Sequence, residues 1–262
     1  MISFDDLTFH LDLSKKIYVG YSGGPDSSAL LHLLHINNIS NVEAIHINHN
    51  LSDNSLKWEE HCRKTTNKLG IKCHVDSIDI KLDGDGLESA ARKARYKIFA
   101  KYLKKNEQIL LGHHSDDVAE TFLLRLFRGT GLDGLESLSV KRKVGEGYLV
   151  RPLINLSKKN ILIYLKEQEI SFVKDESNFK EDQDRNYVRN TLIPSIEQRW
   201  ANVTSRISNT ANFIKIRNNS YEMFFKEKYQ NLIGNQIKVS ELKKIQKSFI
   251  VDIIRLSIKR QN

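Results

Sequence analysis

Apolar positions in the first half of the chain recur in two rhythms. Short apolar runs, Ile17 to Tyr21, Val42 to Asn48, Ile71 to Ile80 and Gln108 to Gly112, read as buried parallel strands. Between them the spacing lengthens to three or four. Leu30, Leu31, Leu33 and Leu34 mark a helix that opens at Asp26 and Ser27. Ser55 to Leu69 is a polar helix stopped by Gly70, and Leu87 to Lys105 is a long helix containing Ala90 to Tyr96. Val118, Phe122, Leu123, Leu126 and Phe127 form the apolar face of a helix from Asp116 to Arg128. Ser157 caps a helix through Gln168, with Ile161, Leu162 and Leu165 inward. This alternation predicts an α/β fold with a doubly wound, largely parallel sheet. Ligands on such sheets bind beyond the carboxyl ends of the strands, which gathers Ser22–Ser27, His46–His49 and His113–Asp117 along one edge.

The rhythm changes at Ser195. From there it is helical without strand alternation, with a break expected at Leu232–Asn235 and a final amphipathic segment from Val239 to Ile258. Basic residues outnumber acids in this part. The expected organisation is a catalytic domain over residues 1–194 and a short helical domain over residues 195–262 with a basic outer face.

Composition narrows the class. A chain of 262 residues, 40% hydrophobic and 28% charged, is that of an ordinary soluble globular protein. No apolar run approaches the roughly 20 residues of a membrane span. The stretch Met1–Asp6 carries acid where a signal peptide needs base. Cys62 and Cys73 make neither a metal nor a redox spacing. A cytoplasmic protein without membrane attachment is expected. The net charge of +9 points to a polyanionic partner.

The candidate chemistry sits at the strand ends. After the first strand comes Ser22-Gly23-Gly24-Pro25-Asp26-Ser27. Strand, glycine turn and helix start together make an anion site. Backbone N–H groups can approach phosphate closely at Gly23 and Gly24, and the helix N-terminus adds about half a positive charge. No Lys follows the glycines, so this is not the Gly-Lys-Ser/Thr phosphate loop. Asp26 would repel a phosphate unless a divalent cation lies between them. After the fourth strand comes His113-His114-Ser115-Asp116-Asp117-Val118-Ala119-Glu120. Asp117 and Glu120 share a helix face and repel each other unless a cation, Mg²⁺ or an ammonium, sits there. An ordinary solvated first turn is the competing reading. Asp116 is expected to cap the helix. His113 is a candidate donor to developing negative charge, or a general base. Gly129–Gly134 is either a mobile flap or a plain surface loop. Lys141-Arg142-Lys143 is a basic stretch that either touches phosphate or is merely solvated.

Two resemblances attach to these residues. Ser-Gly-Gly-Pro-Asp-Ser resembles the pyrophosphate loop of the N-type ATP pyrophosphatases, which cleave ATP between the α and β phosphates. The run from His113 to Gly131 resembles the signature of the tRNA(Ile)-lysidine synthases. His46–Ser52, Arg92–Tyr96, Asp175–Asn178 and Arg185–Pro194 are similar to further motifs of that family. The likeness covers roughly residues 15–200. Many members carry Arg where this chain has Ser52, so no charged contact is assigned there.

The resemblance implies an adenine nucleotide alpha hydrolase-like fold and lysine ligation to the wobble cytidine of an isoleucine tRNA with a CAU anticodon. The cytosine carbonyl oxygen would attack the α-phosphorus of ATP, and free lysine would then displace AMP. On this expectation Ser22, Gly23, Gly24, Pro25, Asp26, Ser27 and His46 bind ATP, and Asp26 holds Mg²⁺. Asp26, Arg92 and His113 are catalytic, Asp117 and Glu120 take lysine, and Arg185, Asn186 and Arg189 grip RNA. Some family members carry long C-terminal domains that hold the tRNA body. The short region here leaves open whether a homodimer compensates.

Overall fold

A computed structural model describes residues 7–8, 10–50, 52, 54–78, 87–174 and 184–261. The motif Asp175–Asn178, the end of the third expected strand at Ile80, and Met1–Asp6 lie outside the described residues. Five strands and four helices build the first half: β1 (Ile17–Gly20), α1 (Pro25–Ile36), β2 (Val42–Asn48), α2 (Ser55–Lys68), β3 (Lys72–Ser77), α3 (Leu87–Tyr102), β4 (Gln108–Leu110), α4 (Ser115–Phe127) and β5 (Lys141–Val144). Then follow β6 (Gly147–Val150), α5 (Lys158–Glu167), α6 (Val203–Tyr229) and α7 (Lys247–Gln261). Shorter helical turns occupy Leu132–Leu135, Asp184–Tyr187, Ile193–Glu197 and Val239–Leu242, and Val188–Leu192 is a π-helical turn.

The sheet order is β3-β2-β1-β4-β6-β5. All neighbouring pairs are parallel except β5 with β6. The chain steps outward from β1 to β2 and β3, then returns past β1 to β4. The reversal leaves a crevice beyond the ends of β1 and β4, where open α/β sheets bind ligands. One apolar layer packs α1 and α5 on the sheet through Leu30, Leu31, Leu34, Ile161 and Leu165. The other packs α3 on it through Ile98, Phe99 and Leu103 against Tyr18, Ile45, Ile109 and Leu111. Strands buried on both faces explain why the sequence shows apolar runs rather than alternation.

Two elements go beyond what the sequence pattern shows. Lys141–Lys143 is most of β5, which pairs antiparallel with β6 across a turn at Gly145 and Glu146. Its alternate residues face solvent, so the apolar signal of a buried strand is missing. The final amphipathic segment is not one helix. It splits into the turn Val239–Leu242, closed by i→i−3 bonds from Lys244 N to Glu241 O and Ile245 N to Leu242 O, and helix α7.

The C-terminal helices have an apolar cluster of their own, Phe225, Ile233, Ile253 and Leu256. The other end of α6 lies on α4, where Ala211 meets Val118 and Ile154. No helix among the described residues is long and apolar enough to cross a membrane.

Candidate nucleotide and amine site

The turn after β1 is built from its own hydroxyls. Ser22 N donates to Ser27 Oγ at 3.3 Å, Gly24 N donates to Ser22 Oγ at 3.3 Å, and Ser27 Oγ donates to Gly24 O at 3.1 Å. Gly23 sits at φ +79°, a conformation that costs any residue with a Cβ. Pro25 opens α1, where its missing N–H is no loss. Val173 N donates to Gly23 O at 2.8 Å and ties the turn to the chain after α5. The turn also lies close against the end of β4. A Cβ on Gly112 would fall 2.8–3.0 Å from Asp26 atoms, so only glycine allows the approach.

A cavity of about 260 Å³ opens at the crevice. Ile45, Ile47, Phe99 and Leu111 line its apolar side, and Ser22, Asp26, Ser27, His49, Arg95, His113 and Asp117 its polar side. An apolar wall facing convergent polar groups suits a purine with its phosphates. His46 is not part of this wall. Strand alternation turns Ile45, Ile47 and, beyond the strand, His49 to the cavity, and His46 the other way, where its Nδ1 lies 2.9 Å from Tyr21 O. Arg92 is likewise displaced by helix geometry. Arg95 shares a face with buried Phe99 and enters the cavity, whereas Arg92 lines a neighbouring one. Both could have been read from period two in β2 and period 3.6 in α3.

Asp26 is engaged from far along the chain. Lys158 Nζ, at the start of α5, donates to both of its oxygens at 2.6 and 2.8 Å. Nothing local in the sequence signals this pair. Asp116 does not cap α4 but accepts from Lys158 N at 2.9 Å, and so caps α5 together with Ser157. The residue preceding α4 is His114, whose backbone N–H donates to Asp117 Oδ2 at 3.0 Å. Asp26 is the one expected Mg²⁺ ligand, and the described residues hold no cluster of three or more metal-type side chains. One carboxylate beside phosphates is a fitting donor set for Mg²⁺, which is held mostly by substrate oxygens and water. Lys158 would have to yield one Asp26 oxygen.

The acid pair is buried: Glu120 is 1% and Asp117 8% exposed. Arg185 donates to Asp117 Oδ1 and Glu120 Oε2, both at 2.9 Å. Arg189 donates to Glu120 Oε1 at 2.6 Å and Oε2 at 2.8 Å. The expected acid pocket and the expected RNA-gripping arginines are therefore one cluster. Arg185 and Arg189 are turned inward onto the carboxylates, and Asn186 is buried beside them, rather than forming an exposed basic surface. Two desolvated carboxylates require cationic partners, which is the physical reason. The π-helical turn Val188–Leu192 begins one residue before Arg189 and lies at this site, as such turns often do.

Charge states follow from this setting. Burial pushes the His113 imidazole down to about 3, so it is neutral near pH 7, and its Nδ1 has no partner among the described residues. His113 is thus a neutral hydrogen-bonding group and too weak a base to deprotonate an ammonium. Burial works against protonating His114 too, but Asp117, Asp116 and Asp26 outweigh it and raise its pKa. Burial would raise the Asp117 pKa, yet His114, His113 and Arg185 drive it well below the usual carboxylate range.

Gly129–Gly134 is tethered rather than a free flap. Arg125 donates to Gly134 O at 2.9 Å, and Asp133 pairs with Arg255 of α7.

A doubly wound α/β sheet with a glycine turn and a cavity at its reversal point defines an adenine nucleotide alpha hydrolase-like protein. Residues 4–196 match the family described as the PP-loop domain, and the chain belongs to that family. It is 36% identical over 250 residues to the tRNA(Ile)-lysidine synthase of Coxiella burnetii, covering 94% of this chain and 53% of that protein. It is 37% identical over 255 residues to the enzyme of the same name from Buchnera aphidicola, covering 95% and 57%. The chain spans about half the length of the curated relatives it matches. Among solved structures, the U34-tRNA thiolase NcsA from Methanococcus maripaludis aligns with a TM-score of 0.62 at 19% identity, over 77% of this chain and 72% of that one. That likeness shows the fold alone.

Proposed function

We propose that this protein joins lysine to the wobble cytidine of an isoleucine tRNA with a CAU anticodon, at the expense of ATP cleaved to AMP and pyrophosphate. The observation that carries the reading is a single cleft lined both by Ser22, Asp26 and Ser27 of the glycine turn and by Asp117 of the buried acid pair. The names of the relatives supply the substrates.

On this reading ATP lies with its adenine against Ile45, Ile47 and Phe99 and its phosphates over the N-terminus of α1. The cytosine oxygen attacks the α-phosphorus and pyrophosphate leaves. The lysine amine then attacks the activated carbon, loses a proton, and AMP leaves with the former cytosine oxygen. Neutral His113 and the half-buried Arg95 offer hydrogen bonds to charge growing on the α-phosphate. Lys158 and Asp26 form the charge pair nearest the leaving phosphates, and a Mg²⁺ bound there would neutralise them further. Arg185 and Arg189 pair with Asp117 and Glu120 where the ammonium of lysine would be received. A sulfur-transfer reading has little support, since Cys62 is buried beneath Gly23 and neither cysteine lines the cavity.

The test supplies the purified protein with ATP, magnesium, lysine and a cognate or methionine tRNA transcript. The expected result is AMP release and a cognate transcript heavier by one lysine less one water. No AMP and an unchanged mass would overturn the reading.

A further inference from the structure

A second cavity, about 380 Å³, lies next to the first and is lined by four arginines, Arg92, Arg125, Arg142 and Arg151. Tyr96 stands between arginines that line the two. Arg95 of the first cavity stands 5.8 Å from the centre of that ring, and Arg142 and Arg92 of the second stand 4.5 and 5.2 Å from it.

Arg125 is occupied by Gly134 O and Glu136 O. The others are not matched by acid. Among the described residues, no ion pair joins Arg92, Arg142 or Arg151 to a carboxylate. Of the two acids in the lining, Asp133 pairs with Arg255 and Glu136 stands by Lys215. Arg151 is 2% exposed; one of its nitrogens donates to Ser139 O, and its Nε has no partner. The buried hydroxyl of Tyr96 has none either. Burial and the charges of Arg142 and Arg92 both oppose the charge on Arg151. A buried guanidinium with an unsatisfied donor costs free energy that an anion in the chamber would recover. The flat fork of arginine matches phosphate oxygens two at a time.

We infer that this chamber is a phosphate-binding site, in which Arg142, Arg151 and Arg92 converge beside Tyr96 on one phosphate group. The group is either a backbone phosphodiester of the RNA whose base enters the adjoining cavity or a free pyrophosphate. The RNA source rests on the proposed function; the phosphate chemistry does not. A phosphodiester here would fix the strand one wall away from the nucleotide cradle. Such a contact positions without reading sequence.

Arg142→Ala and Arg142→Lys separate the sources, since Arg142 is half-exposed on β5 and rests its guanidinium on the Tyr96 ring. Binding of a labelled anticodon stem-loop RNA is measured by anisotropy over a salt series. Binding of inorganic pyrophosphate is measured by calorimetry, and thermal melts check folding. With an RNA phosphate, Arg142→Ala weakens RNA about tenfold and lowers the salt slope by about one, with Arg142→Lys between it and the parent. With free pyrophosphate, only that affinity falls. Folded variants that bind both ligands like the parent would overturn the site. If the parent protein binds no RNA, the proposed function fails while the pyrophosphate arm still decides the chamber.

Discussion

The glycine turn lines the cleft and the acid–arginine cluster reaches it through Asp117, but the two are held in opposite ways. The turn closes on itself: the bonds among Ser22, Gly23, Gly24, Ser27 and Ser28 span five residues or fewer. The cluster joins residues 65 to 72 positions apart. Backbone conformation defines the first, and ion pairing of desolvated side chains defines the second. A self-closed turn survives loss of a distant partner. A buried ion cluster does not, because each removal leaves an uncompensated charge.

That contrast is broken most forcefully at Glu120. Glu120→Gln leaves Arg185 and Arg189 sharing the single carboxylate of Asp117, and urea unfolding should show a loss of about 3 kcal/mol. Stability equal to the parent would mean that the cluster is not what holds the late segment. The turn is tested at its point of contact. Gly112→Ala drives a methyl into Asp26, and unfolding should report a loss of about 2 kcal/mol, accompanied by weaker ATP binding. A variant with parental ATP affinity would show that the turn does not depend on its seat against β4.

A third test is a pH dependence. The unfolded chain protonates His113 near 6.5, and the folded chain only near 3. Its contribution to stability is therefore complete above about pH 6.5 and is lost as pH falls toward 3. His113→Asn should flatten the stability profile across that window. The loss due to Asp117, whose pKa is lowered from 3.8, should persist at still lower pH. A profile unchanged by the substitution would mean that His113 is hydrated.

What could be read from sequence follows the same division. The strands, the glycine turn and the helix of Asp117 and Glu120 were legible because each is set within a few residues. His49 in place of His46, and Arg95 in place of Arg92, were within reach of the same reasoning, since side-chain period alone decides them. Lys158 on Asp26 was not, at a separation of 132 residues. Nor was the inward turn of Arg185 and Arg189: a run of arginines, amide and tyrosine looks the same whether it meets RNA or two buried carboxylates. The β5–β6 hairpin was hidden because its outer strand is Lys-Arg-Lys.

That outer strand has a use away from the cleft. Among the described residues the sheet ends at β3 on one side and β5 on the other. Lys141 and Lys143 project from one margin and Lys72 from the other, all exposed. A second molecule trying to add its strand at either margin would have to bury ammonium groups. The same lysines that mask the hairpin from sequence patterning should therefore keep concentrated solutions of the protein from polymerising edge to edge.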